Sequence, residues 1–175
     1  NGLVPALASE QLLSHVPEIR KICKVSTVQL YNLDRTNMRP EYWLEISRYI
    51  RKVYAEYDGF VITHGTDTMA YTASAVTFML PHIDLPVVFT GSQLPLDHIL
   101  SDGPDNLRTA FAMAASGCRG IYLAFDRKVM RGCRAVKVRA SGFSAFESVN
   151  ARYAAQVSNR GFVIDQSIVT QKKGT

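Results

Sequence analysis

The fold class of this chain follows from the 21 residues FVITHGTDTMAYTASAVTFML, which run from Phe60 to Leu80. Phe60–Thr63 is a short, mostly apolar run of the kind that forms a buried strand. Thr68–Leu80 has the length and composition of a mostly apolar helix. The polar residues between them predict a loop at the carboxyl end of the strand. Strand, loop and helix in this order are typical of a βαβ unit.

The same alternation continues on both sides of this stretch. The apolar runs Val25–Leu33, Val87–Thr90 and Ile121–Phe125 predict strands, and Pro40–Tyr57 and Asp102–Ser116 predict amphipathic helices. Short strands that alternate with helices of about 12–18 residues predict an α/β fold, with a mostly parallel sheet flanked by helices. Ligands of such sheets bind beyond the carboxyl ends of the strands. We therefore expect the functional residues in the loops 34–38, 63–68 and 90–95.

Composition excludes several classes of protein. The chain has 175 residues, enough for about one domain, and 47% of them are apolar, so it can bury a core and is not disordered. It contains no apolar stretch near the roughly 18 residues that span a bilayer. Its three cysteines include no CxxC pair, which argues against a zinc site or a disulfide framework and favours a reducing compartment.

The loop Thr63–Thr68 contains three hydroxyls, a carboxylate and an imidazole. Two interpretations are open. Asp67 or Thr68 could cap the following helix, or the loop could bind an anionic or carbonyl-bearing substrate and use a threonine as nucleophile or water-positioner. A threonine hydroxyl needs a neighbouring base. His64 is one candidate, although alternation with Thr63 favours a structural role for it. A lysine is the other, and the residues alone do not select which.

The segment 127–139 carries six positive charges. It could bind phosphate groups. No aromatic residues are interleaved with the charges, however, and nucleic-acid surfaces usually combine charge with aromatic stacking. We therefore favour a solvated edge segment, either a hairpin or a strand bent by a turn at Gly132, in which Val136 and Val138 face one side and Lys137 the other.

The stretch GFVITHGTDTM, residues 59–69, resembles the second signature of the asparaginase/glutaminase family. Further segments follow in the order seen in that family, and they lie at residues 90–95, 101–107, 131–137 and 142–150. The resemblance covers nearly the whole chain and is greatest to the cytoplasmic, type I branch of the bacterial enzymes. It implies a flavodoxin-like N-terminal catalytic domain at residues 1–160 without its first strand and first catalytic loop. Residues 161–175 would begin an interdomain linker, with the C-terminal domain absent.

The resemblance also implies roles for individual residues. Thr66, Asp67 and Lys137 match the catalytic Thr-Asp-Lys triad of the family. Thr66 would activate or position the nucleophile or water, and Lys137 would tune its proton affinity. Asp67 would hold Lys137 and receive the α-ammonium group of the substrate.

Three more residues match substrate-binding positions of the family. The backbone carbonyl of Ser92 would receive the side-chain amide of the substrate. Arg35 and Thr36 would bind its α-carboxylate and α-amino groups. Arg35 stands where family members usually have serine, and a guanidinium can bind a carboxylate bidentately.

The resemblance implies an amidohydrolase that converts L-asparagine, or L-glutamine as second substrate, to the acid and ammonia through a threonine-based acyl-enzyme. We expect no cofactor, no metal, no nucleic-acid or membrane partner, a cytoplasmic location, and a homodimer or homotetramer at full length. The family's Gly-Gly-Thr-Ile-like loop, which carries the first catalytic threonine, is not in this chain, so the 175 residues alone should have little or no activity.

Two alternatives remain open. One is the amidase subunit of a tRNA-dependent amidotransferase, which resembles this family in fold and triad. The other is an amino-acid-binding module without catalysis, which the missing threonine and Arg35 favour. The coding sequence upstream of Asn1 would separate an enzyme from a binding module.

Overall fold

The computed structural model describes residues 9–30 and 38–171. The helices in these residues are α1 (Ser9–Ser14), α2 (Pro40–Val53), α3 (Met69–Met79) and α4 (Gly103–Ala114), with 3-10 turns at Pro17–Lys21 and Tyr54–Glu56. The strands are β1 (Phe60–Thr63), β2 (Pro86–Thr90), β3 (Cys118–Phe125), β4 (Lys128–Arg131), β5 (Ala135–Lys137), β6 (Phe146–Ser148), β7 (Ala155–Ser158), β8 (Gly161–Ile164) and β9 (Thr170–Gln171). None of the described helices is long and apolar enough to cross a membrane.

The main sheet is mixed. Its order is β1-β2-β3-β4-β7-β8, β9 pairs with β3, and β5 and β6 form a separate two-stranded sheet. Strands β1, β2 and β3 are parallel because α3 and α4 connect them as crossovers. From β3 onward the pairing is antiparallel. Asp126 and Arg127, both at positive φ, turn β3 directly into β4, and so short a turn permits only antiparallel pairing.

The core lies on both faces of the parallel strands. Val87 and Phe89 of β2 are fully buried in a cluster that includes residues of α2 and α3. Val88, which alternates with them, packs in a second cluster with Ala110 and Met113 of α4. Each buried Val, Phe or Met side chain stabilises the fold by about 1.5–3 kcal/mol. The predicted α/β class and the helices on both faces are confirmed.

Three elements differ from the sequence prediction. The composition of Val25–Leu33 predicts a strand, but residues 25–30 are irregular, and 31–33 lie outside the described residues. Val28 and Leu30 are exposed there. A segment rich in β-forming residues becomes a strand only where it can pair with the edge of a sheet, and residues 25–30 form no strand in the described structure. Helix α2 ends at Val53 instead of Tyr57, and a 3-10 turn follows it. The sheet also continues beyond residue 160, because β8 and β9 add to it.

Candidate active site

The loop between β1 and α3 begins at the carboxyl end of a parallel strand. Thr63 is exposed and His64 is turned inward, as strand alternation predicts. Thr66 is buried, with 8% of its surface exposed, whereas the Asp67 side chain is 60% exposed. Thr68 occupies the N-cap position of α3 but makes no side-chain capping hydrogen bond, so the capping interpretation is wrong for that residue.

Lys137 reaches this loop from β5. Its Nζ donates to Thr66 Oγ1 at 2.9 Å and to Asp67 Oδ1 at 2.7 Å. The Lys137 side chain is only 14% exposed, so its ammonium is largely removed from water and its charge is compensated by Asp67. Lys137 is 71 residues from Thr66 and 70 from Asp67 along the chain, yet the three side chains form one hydrogen-bonded cluster.

Lys137 lies on the opposite face of β5 from its two neighbours in sequence. Val136 and Val138 flank it and are 44% and 49% exposed. The valines therefore face outward while the lysine faces the loop, which confirms that they lie on opposite sides. Hydropathy alone would assign the reverse orientation.

Gln93, in the loop after β2, completes the cluster. Its side-chain Oε1 accepts the hydroxyl hydrogen of Thr66 at 3.0 Å, and its Nε2 donates to the backbone carbonyls of Ala140 at 3.2 Å and Gly142 at 3.0 Å. Ser92, the predicted substrate-binding residue, directly precedes it and is half-buried. The motif at residues 90–95 is the only sequence signal for Gln93, and it does not by itself distinguish this side chain from its neighbours.

The loop that carries Ser92 and Gln93 is held by two buried or half-buried polar side chains near the start of the next helix. The Asp102 carboxylate accepts the backbone N–H groups of Gln93 at 3.0 Å and Leu94 at 3.1 Å. Asn106, 1% exposed, donates to the Gly91 carbonyl at 2.9 Å and to Asp102 at 3.1 Å. These bonds fix the backbone on both sides of Gln93. The loop after β2 is therefore tied to the start of α4 by hydrogen bonds on both sides of Gln93.

Gly91 lets the two loops approach each other. A Cβ at this position would lie 2.3 Å from the backbone oxygen of His64, far inside van der Waals contact. The backbone hydrogen bond from His64 N to Thr90 O, at 2.8 Å, continues the β1–β2 pairing up to this point. Only glycine therefore allows the loop of Gln93 to pass so close to that of Thr66.

His64 is engaged away from Thr66. Its Nδ1 lies 2.7 Å from the Gly65 carbonyl, and its Nε2 lies 2.9 Å from Thr72 Oγ1. A carbonyl can only accept, so Nδ1 carries the proton and Nε2 accepts the Thr72 hydroxyl hydrogen. Thr72 Oγ1 accepts in turn from the Trp43 indole N–H at 3.0 Å. Burial lowers the pKa of His64. The neutral His64 side chain thus stabilises the loop through its two hydrogen bonds. Lys137 is the basic side chain in contact with Thr66.

The lowered pKa of His64 makes stability depend on pH. The unfolded imidazole, with a pKa of about 6.5, takes up a proton that the folded one resists. The stabilisation from neutral His64 is therefore complete above about pH 6.5 and declines as the pH falls below it. When the pH is lowered from about 7.5 to about 5.5, we expect the melting temperature of His64→Gln to fall by less than that of the wild type. The exposed His82, changed to Gln, is the control and should behave like the wild type. An equal loss in all three proteins would contradict the assignment.

Arg35 and Thr36, predicted to bind the substrate, lie outside the described residues.

Several charges of the basic segment 127–139 have acidic partners. Arg127 pairs with Asp105 at 3.0 Å and Arg139 with Glu147 at 3.6 Å. Because these charges are compensated within the chain, the segment has fewer free cations for a phosphate backbone than its sequence suggests.

Known proteins resemble this chain in sequence and in fold. The family model described as asparaginase, N-terminal, matches residues 1–170. The chain belongs to the asparaginase family. This asparaginase-family chain is 46% identical over 151 residues to the L-asparaginase of Thermococcus kodakarensis, a match that covers 85% of the chain and 46% of the relative. It is 37% identical over 183 residues to a glutamyl-tRNA(Gln) amidotransferase subunit of Saccharolobus islandicus, covering 98% of the chain and 41% of the relative.

Solved structures of the family have the same fold. The thermostable L-asparaginase from T. kodakarensis superimposes with a TM-score of 0.84 at 42% identity, covering 93% of this chain and 50% of that one. The probable cytoplasmic L-asparaginase from Campylobacter jejuni gives 0.85 at 32% identity, covering 93% and 54%. This asparaginase-family chain thus spans about half the length of the relatives it matches.

Proposed function

We propose that the protein to which this chain belongs is an L-asparaginase, an amidohydrolase that releases ammonia from the side-chain amide of L-asparagine. The observation that carries the proposal is the position of Lys137 Nζ, within hydrogen-bonding distance of both Thr66 Oγ1 and Asp67 Oδ1. A hydroxyl in contact with a largely desolvated lysine that is itself paired with a carboxylate is the arrangement that activates a hydroxyl or water nucleophile. The L-asparaginases among the relatives support the same reaction.

In the proposed mechanism an oxygen nucleophile attacks the amide carbon of the substrate. A carbon–oxygen bond forms, the carbon–nitrogen bond breaks, and the amide nitrogen leaves as ammonia with the proton that the nucleophile gives up. Water then hydrolyses the resulting acyl-enzyme. Thr66 positions the nucleophile or water, and Lys137, hydrogen-bonded to Thr66 Oγ1, tunes the proton affinity of that oxygen. The first catalytic threonine implied by the family resemblance would supply the acylated oxygen.

Substrate binding is proposed for the residues around this cluster. Asp67 is the most exposed member, so its carboxylate can receive the α-ammonium group while still holding Lys137. The Ser92 carbonyl would accept the amide N–H, and Arg35 and Thr36 would bind the α-carboxylate end. No metal or cofactor takes part in this scheme.

The second candidate function is the amidase subunit of a tRNA-dependent amidotransferase. It is favoured by the identity to the S. islandicus amidotransferase subunit, which extends over 98% of the chain. Such a subunit would use the same cluster on glutamine and deliver the ammonia to a charged tRNA. A cytoplasmic homodimer or homotetramer, as the family resemblance implies, stays a prediction for the full-length protein.

Ammonia release by the purified full-length protein separates these possibilities. We expect hydrolysis of L-asparagine, with L-glutamine as the slower substrate. Glutaminase activity that appears only with glutamyl-tRNA would favour the amidotransferase subunit. Binding of L-aspartate without turnover of either amide would favour the binding module, and sequencing the codons upstream of Asn1 would then show whether a Gly-Gly-Thr-Ile-like loop is encoded.

A further inference from the structure

The side chain of Gln93 has a partner at each of its polar atoms. Nε2 faces the carbonyl oxygens of Ala140 and Gly142, which can only accept, so the amide group must point its NH₂ toward them. Oε1 is then directed at Thr66, as the 3.0 Å contact requires. The orientation of the amide is therefore determined by its partners and not by an arbitrary choice between oxygen and nitrogen.

This orientation assigns the hydrogen atoms at Thr66. The Lys137 ammonium has three donors and no acceptor, so Thr66 Oγ1 accepts from it at 2.9 Å. The Oε1 atom of Gln93 has no hydrogen, so the Thr66 hydroxyl donates to it. In this resting state the hydroxyl hydrogen points to Gln93 and one lone pair of Oγ1 points to Lys137. The remaining lone pair of Oγ1 is left for a water molecule or the substrate.

The carbonyl partners of Gln93 belong to the loop that directly follows Lys137. Residues 138–145 connect β5 to β6, and Val138 N donates to Ala145 O at 2.8 Å across this connection. Gln93 therefore bonds simultaneously to the threonine of one loop and to the segment that carries the lysine. Its own backbone N–H is fixed by Asp102. Gln93 thus contacts Thr66 directly and, through the backbone of residues 140 and 142, the loop that follows Lys137.

We propose that Gln93 is a positioning residue that directs the Thr66 hydroxyl and holds the Lys137 strand at hydrogen-bonding distance from it. The inference rests on the proposed amidohydrolase function and adds a residue to its machinery. Gln93 acts through Thr66 and the 140–142 backbone, so it contributes to turnover more than to substrate affinity. Its amide serves this purpose because it offers one acceptor and two donors without adding a charge beside the Asp67–Lys137 pair.

The test uses the full-length protein and L-asparagine. Gln93→Met keeps the length of the side chain and removes all three hydrogen bonds. We expect it to lower kcat by about tenfold, the effect of losing hydrogen bonds to one catalytic hydroxyl, with KM changed by less than about threefold. Gln156→Met is the matched control, because Gln156 is exposed in β7, and it should keep wild-type kinetics.

A double variant distinguishes positioning from a general structural role. Thr66→Ser keeps the hydroxyl but loses the methyl group that restricts its rotamer, so its direction depends more on Gln93. We expect the double variant Thr66→Ser, Gln93→Met to lower kcat by a larger factor than the product of the factors for the two single variants. Two results would overturn this inference and leave the proposed function standing. One is a wild-type kcat in Gln93→Met, and the other is a double variant whose kcat falls by the product of the two single factors. A wild-type protein that releases no ammonia would overturn the proposed function and this inference with it.

Discussion

Lys137→Met is expected to lower kcat for L-asparagine by at least about a hundredfold in the full-length protein, because general acid–base groups contribute about 10²–10⁴-fold. Methionine preserves the apolar stem of the lysine and removes its ammonium. Thr66 Oγ1 then loses the hydrogen bond that it accepts from Lys137 Nζ at 2.9 Å, and Asp67 loses its ion pair with Lys137. Steady-state kinetics at saturating asparagine measure the effect.

The control for this substitution has to be a lysine outside the site and its supporting contacts. Lys128, in the same basic segment, is unsuitable, since its Nζ lies 5.3 Å from the Tyr153 ring centroid and contacts Ser144 Oγ at 3.3 Å. Lys52, exposed in α2, is suitable. Lys52→Met should keep wild-type kcat and change the free energy of unfolding by no more than about 0.5 kcal/mol. Equal and mild effects of the two substitutions would return Lys137 to the interpretation of a solvated hairpin lysine.

Local sequence was sufficient for the elements that carry the site. Phe60–Thr63 forms β1 with its predicted boundaries, and the run at 87–90 forms β2 with one further residue. Both are apolar runs in the parallel part of the sheet, where burial leaves a clear composition signal. The loops at their carboxyl ends carry Thr66 and Gln93. The topological rule that ligands bind at these ends therefore indicated these loops without any knowledge of distant contacts.

Long-range pairing was not predictable in the same way. Residues 25–30 have strand-like composition, yet they form no strand, because composition does not say whether a sheet edge is available. The segment after Phe125 turns first at Asp126 and Arg127, two residues at positive φ that give no glycine signal in the sequence. It turns again at residues 132–134, where Gly132 does predict the bend. The contact of Gln93 with residues 140 and 142 joins segments nearly 50 residues apart, and only the folded chain brings them together.

Lys137 is a charged side chain that is buried while its apolar neighbours in the sequence are exposed. Strand alternation places Lys137 opposite Val136 and Val138 but does not say which side faces the site. Hydropathy would bury the valines, yet the structure buries the lysine, with 14% of its side chain exposed. The burial is tolerated because Asp67 and Thr66 satisfy its charge and hydrogen bonds. The ordinary preference of an amphipathic strand is thus reversed at Lys137, where a cation meets the Thr66 loop.

Thr66→Val should lower kcat by at least about a hundredfold, the lower end of what a positioned proton-transfer group contributes. Valine has nearly the shape of threonine and lacks the hydroxyl that joins Lys137 to Gln93. The Lys137 ammonium would still face Asp67, so the ion pair remains and the fold should persist. We expect a loss of about 1–3 kcal/mol from the polar atoms left without a partner. In a domain of this size that lowers the melting temperature by several degrees.

Two further variants separate the chemistry of the hydroxyl from its contribution to stability. Thr109, buried in α4, donates its hydroxyl to the Asp105 carbonyl of its own helix at 2.9 Å. Thr109→Val should leave kcat within about twofold of the wild type, since this hydroxyl bonds a carbonyl of its own helix and not the cluster. Thr66→Ser, which restores the oxygen, should recover most of the kcat that Thr66→Val loses. If Thr66→Val keeps wild-type kcat, Lys137 must act on another oxygen, and the cluster around Thr66 is then structural.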